Sequence, residues 1–157
     1  FAGLCMAIKL REQGIEDFQI LERGTDVGGT WRDNHYPGCA CDVQSHLYSF
    51  SFEPNPDWTR MFARQPEIRA YLEKCADKYD LRRHIVFGAN VQSARYDDAS
   101  STWTVGTADG RQHTARVLVS GHKGRTGHQS SVDHLRHDSL LQWGRVMKMR
   151  RRSERLP

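Results

Sequence analysis

Residues 1–22 constrain the fold of this chain more than any other stretch. "FAGLCMAIKLREQG" places Leu4, Ala7, Ile8 and Leu10 near helical spacing, and Gly14 supplies a stop. "DFQILE", residues 17–22, follows as a short buried strand. Helix, tight loop and strand, with small residues where the helix starts, form the second half of a βαβ unit whose first strand is expected to precede residue 1. A parallel sheet needs crossovers of this kind, so an α/β architecture is expected.

The same 22 residues carry a candidate site. In a dinucleotide-binding βαβ unit, a glycine lets the helix N-terminus approach a pyrophosphate, which the helix N–H groups and dipole then bind. An acid about twenty positions later, at the end of the second strand, bonds the ribose hydroxyls. Gly3 and Glu22 stand at those two places. The plain alternative is a glycine near a terminus and a surface acid after a strand.

Further on, "PEIRAYLEKCADKYD" is the clearest helix. Ile68, Tyr71, Leu72, Cys75, Ala76 and Tyr79 fall on one face, and Pro66 suits its first turn. "HIVFG", "VQSARYD", "TWTVGT" and "HTARVLVSG" then read as strands, with turns at 97–101 and 108–110. They predict a small antiparallel meander at about 85–116. "ARVLVSG" is more continuously apolar and predicts a return to the buried sheet.

After Gly121 the periodicity fails, although 140–149 could make a short helix. The net charge of +4 comes from this stretch, which holds 9 of the 23 Lys/Arg and only 3 of the 19 Asp/Glu. Residues 1–121 are mildly acidic, so a nucleic-acid surface across the domain is not expected. Residues 1–121 are expected to be one partial domain. Residues 122–157 are expected to be a basic tail outside the native fold, out of frame or otherwise unrelated. No apolar run reaches the length of a membrane span. Cys39 and Cys41 are too close for the usual zinc hook, and a reduced cytoplasmic protein without a metal site is expected. Both cysteines are read as packing residues.

The remaining question is "VGGTWRDNHYPGCACD", 27–42, which sets large aromatics beside glycines in a stretch without regular period. Its "GGTW", "YPG" and "CD", followed by "SHLYSFSF", resemble the flavin-dependent monooxygenases of Baeyer–Villiger type. The resemblance extends over about 1–121 in element order and is densest over 20–52.

The resemblance implies a Rossmann-like FAD-binding domain, incomplete at both ends. It also implies FAD and NADPH as cofactors, O2 as co-substrate, and a small ketone or heteroatom compound as substrate. Gly28 and Gly29 would let the backbone pass close to the cofactor. Thr30 and Trp31 would lie along it, and Tyr48 would contact it. Val91 would meet the adenine through its backbone, and Glu22 would keep its ribose role. The turn at Tyr36-Pro37-Gly38 would carry Asp42 toward the flavin, where the family uses an aspartate to position a catalytic arginine supplied from elsewhere.

Other readings stand beside these. Trp31 and Tyr48 could be core aromatics, and Asp42 could cap a helix in "VQSHLYSF". The family's signature between its two nucleotide domains and a second dinucleotide fingerprint are not found in the chain. A non-catalytic FAD-binding fragment, or a truncated and frameshifted product without activity, is therefore the alternative. A reductase with two dinucleotide sites would want Cys-x-x-Cys, which Cys39-Ala40-Cys41 does not supply.

Overall fold

The computed structural model describes residues 1–121 and the strand 145–149. Helix α1 spans Ala2–Glu12 and strand β1 spans Phe18–Glu22. Between them Gly14 takes φ +70°, and its N–H donates to the Arg11 carbonyl at 2.9 Å. This is the left-handed stop for which glycine is suited. A four-residue turn of helix, α2 (Thr30–Asp33), interrupts the irregular stretch. Helix α3 spans Gln65–Lys78. Strands β2 (Ile85–Val86), β3 (Val91–Asp97), β4 (Thr102–Thr107), β5 (Gln112–Ala115), β6 (Val117–Ser120) and β7 (Arg145–Met149) follow.

The main sheet has the order β2-β1-β7-β6. β1 and β2 run parallel, with Ile20 opposite Ile85. β7 is antiparallel to both β1 and β6, so β6 points the same way as β1. "DFQILE" and "ARVLVSG" were expected to share a sheet as neighbours or one strand apart, and β1 and β6 do so across β7. The second sheet, β3-β4-β5, is the antiparallel meander.

Two local expectations are corrected. "HIVFG" was assigned to the meander, but its Ile85 and Val86 pair with β1 in the main sheet. Two residues cannot hold a hairpin of their own, and the exposed edge of β1 offers a ladder. "HTARVLVSG" leaves the meander after Ala115 and returns to the main sheet as β6, as its apolar run predicts. The helix suggested for 140–149 is replaced over Arg145–Met149 by β7. Hydrogen-bonding edges on both sides of that slot outweigh a weak helical period. The rest of the 122–157 stretch lies outside the described residues.

Each face of the main sheet is covered. Leu4, Ala7, Ile8 and Leu10 of α1 pack with Phe18 and Ile20 of β1 and with Tyr71, Leu72, Cys75 and Ala76 of α3. On the other face Leu21 packs with Ala89, Val91 and Val105, which tie the meander to the sheet. The predicted α3 stripe is thus the buried one. Among the described residues no helix is long and apolar enough to cross a membrane.

Candidate dinucleotide site

Strand β1 ends at Glu22, which is 3% exposed. Its main-chain carbonyl accepts from Ala89 N–H at 2.9 Å, and the Gly24 carbonyl accepts from Gly88 N–H at 3.0 Å. This pairing draws the segment leading to Val91 alongside the end of β1. Val91 is buried there at the head of β3. Leu4, in the first turn of α1, lines one small crevice with Ile20, Glu22, Val27 and Ile85. Gly3, next to Leu4 in the chain, is buried, and a Cβ on Gly121 would lie 3.5 Å from the Gly3 nitrogen. Gly3 and Glu22 therefore lie near the C-terminal end of β1 and the start of α1, while Val91 packs against Leu21 on the other face of β1. Ligands of open α/β sheets sit at this edge.

The Glu22 carboxylate is held from two sides. Its Oε1 accepts from Gly24 N–H at 2.9 Å and from Arg32 Nη1 at 3.1 Å. Arg32 lies in α2, and its guanidinium is engaged on every side. It makes a two-point contact with Asp33 at 2.8 and 3.1 Å and donates to the Asp26 carbonyl. Burial works against the Arg32 charge, but the carboxylates of Asp33 and Glu22 outweigh it and hold the pKa above its ordinary value. Asp26 in turn pairs with Arg82 at 2.7 Å and Arg69 at 3.8 Å.

Gly28 and Gly29 take φ of +118° and +55°, backbone that L side chains rarely adopt. A Cβ on Gly28 would lie 3.0 Å from the Arg32 Cβ and 3.2 Å from its nitrogen. The first turn of α2 thus folds back onto the glycines. Thr30 is exposed at its start. Trp31 and Tyr48 come together: the indole N–H donates to the Tyr48 hydroxyl at 3.1 Å, with the rings edge to face. Gln65, at the start of α3, donates to the Trp31 carbonyl.

Tyr36-Pro37-Gly38 makes the expected turn, with Cys39 N–H donating to the Tyr36 carbonyl at 3.1 Å and Gly38 at φ +81°. Asp42 follows it and is exposed. The alternative reading of Asp42 as a helix cap does not hold: only a 3-10 turn forms, Ser45–Leu47, and it starts after Gln44 with no side-chain cap. Ser45 instead ties this loop down through bonds to the carbonyls of Arg60 and Met61. Burial raises the Tyr48 pKa above its usual value, and the Trp31 bond opposes this. Cys39 and Cys41 are buried free thiols.

These features define a class: a Rossmann-like nucleotide-binding unit with an acid at the second strand end and a glycine-rich aromatic loop across it. Residues 1–65 match the family described as the NAD(P)-binding Rossmann-like domain. The chain is 58% identical over 121 residues to a Baeyer–Villiger monooxygenase of Pseudomonas aeruginosa, covering 77% of this chain and 23% of that protein. It is 55% identical over 120 residues to one from Streptomyces coelicolor, covering 76% and 23%. Among solved structures, an oxidized steroid monooxygenase bound to NADP matches with a TM-score of 0.69 at 40% identity, over 79% of this chain and 26% of that one. An open cyclohexanone monooxygenase matches at 0.68 and 39%, over 73% and 23%. Over about three quarters of its length the chain is similar to monooxygenases of Baeyer–Villiger type. It spans about a quarter of the length of these relatives.

Sequence reasoning placed Glu22 and the loop glycines but missed Arg32 and Gly24. Gly24 is small because the Arg32 guanidinium lies over it: a Cβ there would come within 2.0 Å of Nη1. A glycine two residues after the strand-end acid, with an arginine one helical turn past the double glycine, was the available signal.

Proposed function

We propose that this chain is the FAD-holding segment of an NADPH-using monooxygenase that inserts one oxygen from O2 into a small ketone, or oxidises a heteroatom. The observation that carries the reading is the convergence of Gly3, Glu22 and the segment leading to Val91 at one end of β1. The residues fit the adenosine end of a dinucleotide. An ionised carboxylate accepts from a ribose diol, small residues admit a pyrophosphate beside α1, and backbone at Val91 meets the adenine.

In this reading Gly28, Gly29 and Thr30 carry the chain along the cofactor. Trp31 and Tyr48, locked to each other, form a wall that excludes water. Asp42 lies beyond the Tyr36 turn, where it orients a cation supplied by the rest of the enzyme. Bound FAD supplies the redox chemistry by which O2 is activated. The protein contributes position, charge and a dry environment. Four free thiols, three of them buried, favour a reducing compartment such as the cytoplasm.

The test mixes the purified chain with FAD and then with NADPH. Quenching of flavin fluorescence reports binding, and loss of the yellow colour reports reduction. Binding followed by bleaching supports a competent reductive half-reaction. Binding without bleaching supports a second reading, a non-catalytic FAD-binding segment, which the short span relative to its relatives favours. No binding at all removes both.

A further inference from the structure

The Glu22 carboxylate is sealed: the residue is 3% exposed, and its side-chain oxygen already holds Gly24 N–H and Arg32 Nη1. A ribose diol that bonds both carboxylate oxygens needs a place on Oε1, whose two acceptor positions are taken by Gly24 N–H and Arg32 Nη1. Some group must therefore leave before Glu22 can serve a nucleotide. On one side stands the backbone of β7, with Arg145 in register with Glu22. On the other stands the Arg32 guanidinium, laid over Gly24. Side chains move faster and at lower cost than a paired strand.

We infer that Arg32 is a latch on Glu22, a positioning residue whose guanidinium must release the carboxylate for an adenosine-containing dinucleotide to bind. This rests on the flavin reading of the site. Arg32 is built for such an exchange. Its grip on Asp33 is two-pointed and lies at the exposed end of the pair, since Asp33 is 48% exposed and Glu22 only 4% in their side chains. The guanidinium keeps Asp33 as a partner when it lets go of Glu22, so opening does not strand a buried cation.

A binding site that is open only part of the time binds with an affinity reduced by the open fraction. Removing the latch therefore raises apparent affinity and speeds association. The test compares the full chain with Arg32→Gln by stopped-flow flavin fluorescence, using FAD and, separately, FMN, which has no adenosine ribose. FAD association should accelerate roughly tenfold in the variant, with affinity rising in parallel and FMN unaffected. Equal FAD kinetics in both proteins overturns the latch and leaves the flavin reading standing. A parallel change for FAD and FMN also overturns it, because it marks a general loosening of the loop. If neither protein binds FAD, the flavin reading falls and the latch with it. Should Arg32→Gln fail to fold, Asp33→Asn removes the anchor at an exposed position. It should slow FAD association, because the released guanidinium then lacks its exposed partner, and an unchanged or faster rate overturns the proposal.

Discussion

The Trp31 indole N–H donates to the Tyr48 hydroxyl across 17 residues of irregular chain, with ring centroids 5.5 Å apart and planes at 84°. Phe1 meets Tyr48 in the same edge-to-face manner at 5.1 Å. The contact fixes the glycine-rich loop to the loop that follows the Tyr36 turn. Tyr48→Phe keeps the ring contacts and removes only the acceptor, leaving a half-buried indole N–H without it. A loss of about 1–2 kcal/mol is expected in urea unfolding. Trp31→Phe removes donor and ring area together and should cost more than Tyr48→Phe.

Tyr71 is one of several groups, with Tyr48 and Tyr79, whose raised pKa ties stability to alkaline pH. Its hydroxyl accepts from Phe50 N–H at 2.8 Å and donates to the Glu53 carbonyl at 2.7 Å. Burial pushes its pKa well above the ordinary 10.0. The folded state thus keeps a proton that the unfolded state loses. Stability is fully present below the unfolded pKa of 10.0 and falls as pH rises through and beyond it. The urea midpoint should drop on that side of neutrality, and Tyr71→Phe should flatten the dependence while lowering stability by about 1–3 kcal/mol at neutral pH.

Two glycines of the site should respond differently to alanine. At Gly24 the new methyl meets only the far end of the Arg32 side chain. The guanidinium can swing away, so the cost is its lost pairing with Glu22, about 1–2 kcal/mol. At Gly28 the φ of +118° is itself strained for alanine, and the contacts are Arg32 Cβ and backbone. Gly28→Ala should be the more damaging, by about 1–3 kcal/mol beyond Gly24→Ala, in paired urea titrations.

Glu22 is the test of the nucleotide site itself. Replacing it by alanine removes hydrogen bonds to a charged acceptor, worth roughly 1.5–3 kcal/mol, and FAD affinity should weaken by about ten- to a hundredfold. Glu22→Gln should retain part of the binding through its remaining acceptor. Because Glu22→Ala also deprives Arg32 of a partner, its unfolding midpoint is measured alongside. Unchanged FAD affinity in a folded Glu22→Ala protein removes the ribose role.

The helix and strand of residues 1–22, the buried face of α3, the turn at Gly38 and the meander of β3-β4-β5 were legible because each is encoded locally. Apolar spacing selects the period, and Gly14 and Gly38 occupy backbone that glycine takes at least cost. Local encoding also marked Glu22, since an acid ending a short apolar strand stands out.

What only the tertiary structure decided was partnership. Ile85 and Val86 read the same in either sheet; the open edge of β1 chose them. Arg145–Met149 fills the slot between β1 and β6, where hydrogen bonds on both sides override its own weak preference. Arg32 looks in the sequence like one exposed charge in a polar run. Its place over Gly24 and against Glu22 depends on α2 folding back onto two glycines with positive φ. Periodicity is a property of neighbours in the chain and survives in the sequence. A buried ion pair ten residues apart exists only where the fold removes water from both charges at once.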